Sequence, residues 1–242
     1  MENYKKPKEL FSTRNAKSQK GIDIMRAYIL YMSPHKQNTL GKNICPSATD
    51  GCIKSCLYTS GMAAMFKTIP LGRQRRTEYF LNDLQGFMND AAKEIKREVS
   101  KYGIDNVCFR LNGTSDIPYE NIKVGEYKNI FEMFPDVQFY DYTKIFNRLT
   151  KPLPQNYHLT FSRAETQKNH FECEAALQMG FNVSAVFAVK NEKELPTMYN
   201  GYKVVSGDLN DLTFKHEKGV ILGLKAKGKA KYDQTGFVIR EF

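Results

Sequence analysis

Short apolar runs alternate along this chain with longer stretches of helical periodicity. Residues 26–34 (RAYILYMSP), 106–113 (NVCFRLNG), 136–143 (DVQFYDYT), 157–163 (YHLTFSR) and 182–189 (NVSAVFAV) are rich in β-branched and aromatic side chains and read as strands. Residues 202–208 (YKVVSGD), 219–226 (GVILGLKA) and 236–242 (GFVIREF) extend the series. Between them, Phe80, Leu84, Phe87, Ala91, Ile95, Val99 and Tyr102 recur at steps of three and four, which predicts one amphipathic helix over 70–102. Pro70 suits its first turn and Gly103 its stop. Further helices are expected over 124–134, 145–149, 169–180 and part of 192–199.

Strands alternating with helices predict a parallel sheet with helices packed outside it. No G-x-G-x-x-G turn opens a strand–helix unit, so a dinucleotide-binding fold is not expected. The expected fold is a full or partial (β/α) TIM-like barrel over residues 23–242, one domain preceded by a loose basic arm over 1–22.

The 242 residues give one core ample material, and the formal charge of +10 favours an anionic partner: nucleic acid or an anionic small molecule. No apolar run approaches the length that spans a bilayer, and the N-terminus lacks a secretory apolar centre. The expectation is a cytoplasmic protein with no membrane association. Five cysteines, an odd number, make a disulfide framework a poor reading in that compartment.

Three of the five crowd into "CPSATDGCIKSC": Cys45, Cys52 and Cys56. Structural zinc sites take four ligands, commonly from two close pairs, and no second pair is present. Iron–sulfur clusters are held by thiolates, and three of them leave one iron of a [4Fe–4S] cluster open. The loop follows the first barrel strand, where such a fold gathers function. A [4Fe–4S] cluster on these three residues is therefore expected, with zinc as the alternative. Cys108 and Cys173 sit among apolar neighbours and read as core, Cys108 being the better candidate for a fourth ligand.

Polar residues end almost every strand: Asn112, Thr114, Ser115 and Asp116; Asp141, Thr143 and Lys144; Ser162, Arg163 and Glu165; Ser206, Asp208 and Asp211. Arg110 and Asn112 alternate with Phe109 and Leu111, which puts them on one face. A buried Arg110 would need a ligand or a carboxylate such as Asp141. Candidate anion-binding groups are Arg73, Arg75 and Arg76 early in the long helix, Arg110, Lys144, and Lys225 and Lys227 in "LKAKGKAK". With Lys229 and Lys231 this run reads either as a phosphate-tracking edge or as a solubilising loop.

The cysteine loop, "RLNGTSDIPYE", "FYDYTK", "HLTFSRAE" and "GVILGLKAKGKA" resemble the gene product 88 family of phage proteins. That likeness implies a phage or prophage source, hence a host-cell cytoplasm, more than an activity. More remotely, the layout resembles radical S-adenosylmethionine enzymes. That resemblance implies an open iron that takes S-adenosylmethionine, and Asn112, Thr114, Asp116 and Arg163 as groups holding it. The usual spacing there is C-x3-C-x2-C against C-x6-C-x3-C here, and Ser55 stands where an aromatic residue precedes the last cysteine. The rival functional reading is a non-enzymatic nucleic-acid-binding protein with a structural cluster or zinc.

Overall fold

The computed structural model describes residues 5–13 and 15–242. Among them ten strands form one sheet. In chain order they are β1 (Phe11–Ser12), β2 (Arg26–Leu30), β3 (Val107–Arg110), β4 (Gln138–Thr143), β5 (Tyr157–Ser162), β6 (Asn182–Phe187), β7 (Met198–Tyr199), β8 (Tyr202–Ser206), β9 (Ile221–Lys225) and β10 (Val238–Ile239). Seven helices accompany them: α1 (Ala16–Lys20), α2 (Asp50–Lys54), α3 (Met62–Met65), α4 (Thr68–Asn82), α5 (Leu84–Tyr102), α6 (Ile130–Met133) and α7 (Gln167–Gln178). None is long and apolar enough to cross a membrane.

The sheet runs β1-β2-β3-β4-β5-β6-β9-β8-β7, and every pairing from β2 through β9 to β8 is parallel. It is open, not a closed barrel. Each edge carries a short antiparallel strand: Phe11 lies opposite Leu30 at one end, and Met198 opposite Lys203 at the other. The order also reverses after β6, because β9 inserts between β6 and β8. β10 adds a branch: β5 pairs with Asn182–Ser184 of β6, and β10 pairs with Val186 and Phe187 further along the same edge.

Strands buried on both faces carry near-continuous apolar runs. On one face Tyr28, Phe109, Phe139, Tyr157 and Phe161 pack with Phe87, Ala91 and Ile95 of α5. Tyr28 stacks on Phe109 at 5.2 Å, and Phe131 of α6 on Tyr157 at 4.0 Å. On the other, Ala27, Cys108 and Tyr140 are covered by Leu212 and Phe214, from the segment after β8.

The expected long helix is two helices. Asp83 leaves helical geometry (φ −142°, ψ 75°), and its side chain accepts from Gly86 N at the start of α5. The 124–134 helix shrinks to α6, since Gly125 takes a positive φ in a tight turn that bridges Val124 to Tyr127. α7 starts at its Thr166 cap and stops before Gly180 as its sequence reads. The expected basic arm holds an anchored segment. Residues 1–4 and Arg14 lie outside the described residues, but Leu10 and Phe11 are buried and their amides donate to the Glu94 carboxylate.

Candidate functional site

Residues 31–67, between β2 and α4, carry the cysteines to the carboxyl ends of the parallel strands. Cys45 Sγ accepts from His35 N at 3.2 Å and donates to Thr114 O, beyond β3, at 3.5 Å. α2 carries Cys52. Its cap, Thr49, accepts from Cys52 N, and Glu165, beyond β5, clamps the same turn. Thr49 Oγ1 donates to Glu165 Oε2 at 2.7 Å, and Gly51 N donates to Oε1 at 2.8 Å. A Cβ at Gly51 would meet Thr235 Oγ1 at 2.3 Å and Glu165 Oε2 at 2.7 Å, so both side chains would have to shift to admit one. Cys56 follows one residue after the Ser55 C-cap of α2.

The three thiols share one electrostatic neighbourhood, each of Cys52 and Cys56 acting on Cys45. Burial pushes the Cys45 thiol up to about 12 and also raises Cys56, with Arg73 and Lys144 opposing the rise at Cys56. Lys144, beyond β4, hydrogen-bonds Cys52; burial works against its charge, but Cys52 and Asp116 hold its pKa above the ordinary value. Both shifts are upward, so Cys45 and Cys56 are held toward the thiol form, the poorer nucleophile. Among the described residues no group of three or more His, Cys, Asp or Glu side chains is arranged to hold a metal ion.

The polar strand ends are committed to the scaffold. Asn112 Nδ2 donates to Ile117 O and Asp141 Oδ2, and its Oδ1 accepts from Ser115 Oγ and Ile117 N. Thr114 Oγ1 donates to Met32 O. Asp116 accepts from Thr143 Oγ1, Lys144 N and Arg148 Nη1. Arg163 Nη1 donates to Gly236 O and Phe237 O, tying β5 to the turn before β10.

Arg110 is buried but its partner is Asp211, at 3.0 and 3.3 Å, not Asp141. Asp141 serves the opposite face, accepting from Asn112 N at 2.7 Å and Tyr157 OH at 2.7 Å. Lys227 Nζ pairs with Asp208 at 2.6 Å, and Asp208 Oδ2 also takes Lys225 N. Arg148 was not singled out by its sequence context. It is buried and grips Glu120 through two bonds of 2.8 Å, with Asp116 at 3.0 Å. Its carboxylate partners lie 28 and 32 residues away, beyond any local signal.

The three arginines of α4 part company. Arg75 is exposed, and Arg76 Nε donates to Glu9 O. Both line a cleft of about 540 Å³ with Lys8 and Arg97, away from the cysteines. Arg73 turns inward to the cysteine centre, its guanidinium 5.0 Å from the Tyr31 ring centroid and 5.5 Å from that of Tyr58.

Cys108 and Cys173 are core residues. Cys108 lies among Ala27, Tyr140 and Leu212 and bonds Arg26 O, so it is not gathered with the loop cysteines. Cys173 bonds Asn169 within α7.

The family model for Gene product 88 matches residues 2–241. The chain belongs to the Gene product 88 family. No curated protein and no solved structure matches it. The family match covers the cysteine loop and "GLKAKGKA" alike, and it gives no support to the remote likeness to radical S-adenosylmethionine enzymes.

Proposed function

We propose that the chain is an iron–sulfur protein holding a [4Fe–4S] cluster on Cys45, Cys52 and Cys56. The observation that carries this reading is the gathering of three thiols from one loop at the carboxyl ends of the parallel strands, flanked by Lys144 and Arg73. Thiolates are the ligating form, and two cations beside them favour that form when the metal arrives. Each thiolate of a cluster binds its own iron, so the three sulfurs need not meet at one ion as they must for zinc. When bound, the cluster supplies one-electron redox chemistry and an iron without a cysteine ligand. Glu165, beyond β5, and Thr49 hold the Cys52 turn, and Thr114 O, beyond β3, holds Cys45, so the loop is positioned from two strand ends.

Anaerobic purification tests this, with iron, sulfide and zinc analysis and a visible spectrum. The expected result is brown protein with about four irons per chain, lost on Cys45→Ala, Cys52→Ala or Cys56→Ala and kept on Cys173→Ala. Stoichiometric zinc without sulfide overturns it. S-adenosylmethionine as a ligand of the open iron is tested on the same protein by a shift of the cluster's electron resonance signal and release of 5′-deoxyadenosine.

A second reading, nucleic-acid binding, is favoured by the cationic cleft of Lys8, Arg75, Arg76 and Arg97. Phosphate contacts release counterions, so its signature is affinity that falls steeply with salt. Binding absent at low salt, or indifferent to salt, removes it.

A further inference from the structure

Buried guanidinium groups normally meet an anion or a full set of acceptors, because removing the charge from water is otherwise costly. Arg110 obeys this through Asp211. Arg73 does not. It is 8% exposed, and its Nε and Nη1 are shut off from solvent without a hydrogen-bond partner. The groups acting on its charge are Tyr31, Cys56 and Tyr58, none of them a carboxylate.

The surroundings are built for an incoming anion. Tyr31 lies within electrostatic reach of both Arg73 and Arg110, and Arg110 Nε is also buried without a partner. Lys144 adds a third cation at Cys52. Tyr31, Tyr58, Lys144 and the three cysteines are half-buried, so each keeps part of its surface in solvent. Tyr58, whose ring lies over the guanidinium, rides on the short 3-10 turn Leu57–Thr59 beside exposed Leu57.

We propose that Arg73 is the oxyanion-binding residue of a small-molecule subsite beside the cysteine centre, taking the carboxylate or phosphate group of an organic ligand. The ring of Tyr58 turns aside to admit it. A polymer backbone is a poor fit, because Arg73 lies beneath the surface that such a chain tracks. The inference goes beyond the cluster reading and does not depend on it.

The test is calorimetric titration of the full chain with inorganic phosphate and, separately, acetate, at an ionic strength fixed with chloride. Saturable binding of one or both is expected, and which one names the ligand's acidic group. Affinity falls roughly tenfold or more in Arg73→Gln, as expected for loss of a charged hydrogen bond. Arg73→Lys keeps the charge but loses the planar fork, and binds at an intermediate level. Lys151→Gln, at an exposed lysine, binds as the wild type does. Phosphate or acetate should also change the near-ultraviolet circular dichroism of the tyrosines, less so in Tyr58→Leu. Matching melting curves for Arg73→Lys and wild type guard against misfolding. No saturable binding of either anion overturns the proposal, as does equal binding by Arg73→Gln and wild type, or an equal loss in Lys151→Gln. Iron content measured on the same samples separates the two readings. Anion binding without iron and sulfide leaves Arg73 standing and removes the cluster; a cluster without anion binding does the reverse.

Discussion

An unpaired buried charge makes Arg73→Met a substitution that should stabilise the metal-free, phosphate-free chain. Methionine fills much of the arginine stem's volume and carries no charge to desolvate. Burial already lowers the Arg73 pKa, the direction expected of a guanidinium that has lost water and gained no anion. A buried ion without compensation costs several kcal/mol. Against it stand two cation–π contacts, at 5.0 and 5.5 Å, each worth about 0.5–2 kcal/mol. The net expectation is a gain of about 1–3 kcal/mol. For a chain of this size, 1 kcal/mol moves the melting temperature by about 2–4 °C, so Tm rises by roughly 2–12 °C. Arg110→Met is the internal control, with the opposite sign. It strands the buried Asp211 carboxylate with Tyr140 OH at 3.1 Å as its remaining side-chain donor, and should cost about 3–5 kcal/mol. Both variants are melted by circular dichroism at pH 7, after chelation and dialysis into a phosphate-free buffer. If Arg73→Met melts at or below wild type while Arg110→Met falls as expected, Arg73 is already compensated and the argument for an unmet charge collapses.

Other consequences follow from the same contacts. Gly51→Ala drives a methyl into Thr235 Oγ1 and Glu165 Oε2, and should lower stability by about 1–3 kcal/mol and cut iron uptake; unchanged melting and iron content would show that the turn gives way freely. Burial raises Asp141 to about 6 from an ordinary 3.8, so the folded state binds the proton more tightly than the unfolded one. Its contribution is present below about pH 4 and fades as pH rises through 6, a loss of about 3 kcal/mol that Asp141→Asn should remove from the slope of stability against pH. Burial lowers His158 to about 4, so its contribution has the other sign: complete above about 6.5 and lost as pH falls through 4. His158→Phe should flatten that acid limb in urea titrations, and a limb left intact would assign it elsewhere. For nucleic acid, Arg75→Gln should reduce the salt slope of binding by about one, whereas Lys227→Gln acts mainly on stability, because Lys227 is spent on Asp208.

Much of this was legible in the chain because strands buried on both faces need short, dense apolar runs, and those runs stand out. Long-range choices were not. Whether β9 or β8 sits beside β6 depends on pairings that no local pattern encodes, and with that order went the closed barrel. The break at Asp83 had a local signal, an aspartate three residues before a glycine whose amide it caps, but the apolar periodicity running across it was stronger. Within the site, the cysteine loop announced itself by spacing. Arg110 announced its burial but not its partner, since Asp211 is 101 residues away. Arg73, Arg75 and Arg76 looked alike in sequence, and only the helix phase, set by what α4 packs against, sends one inward and leaves the others at the surface.

The clamp on the cysteine turn has a consequence in time. Thr235 and the turn before β10 close over Gly51 and Arg163, yet they lie 179 residues after Cys56 in the chain. At ordinary rates of synthesis, about 5–20 residues per second, the ribosome needs roughly 10–35 s to cover that stretch. Throughout that interval the nascent thiols stand without their final cover, open to whatever iron donor or oxidant the surroundings hold. Loading of metal, if it precedes closure, is therefore a race against translation, and slowing the ribosome downstream of β9 should lengthen the window.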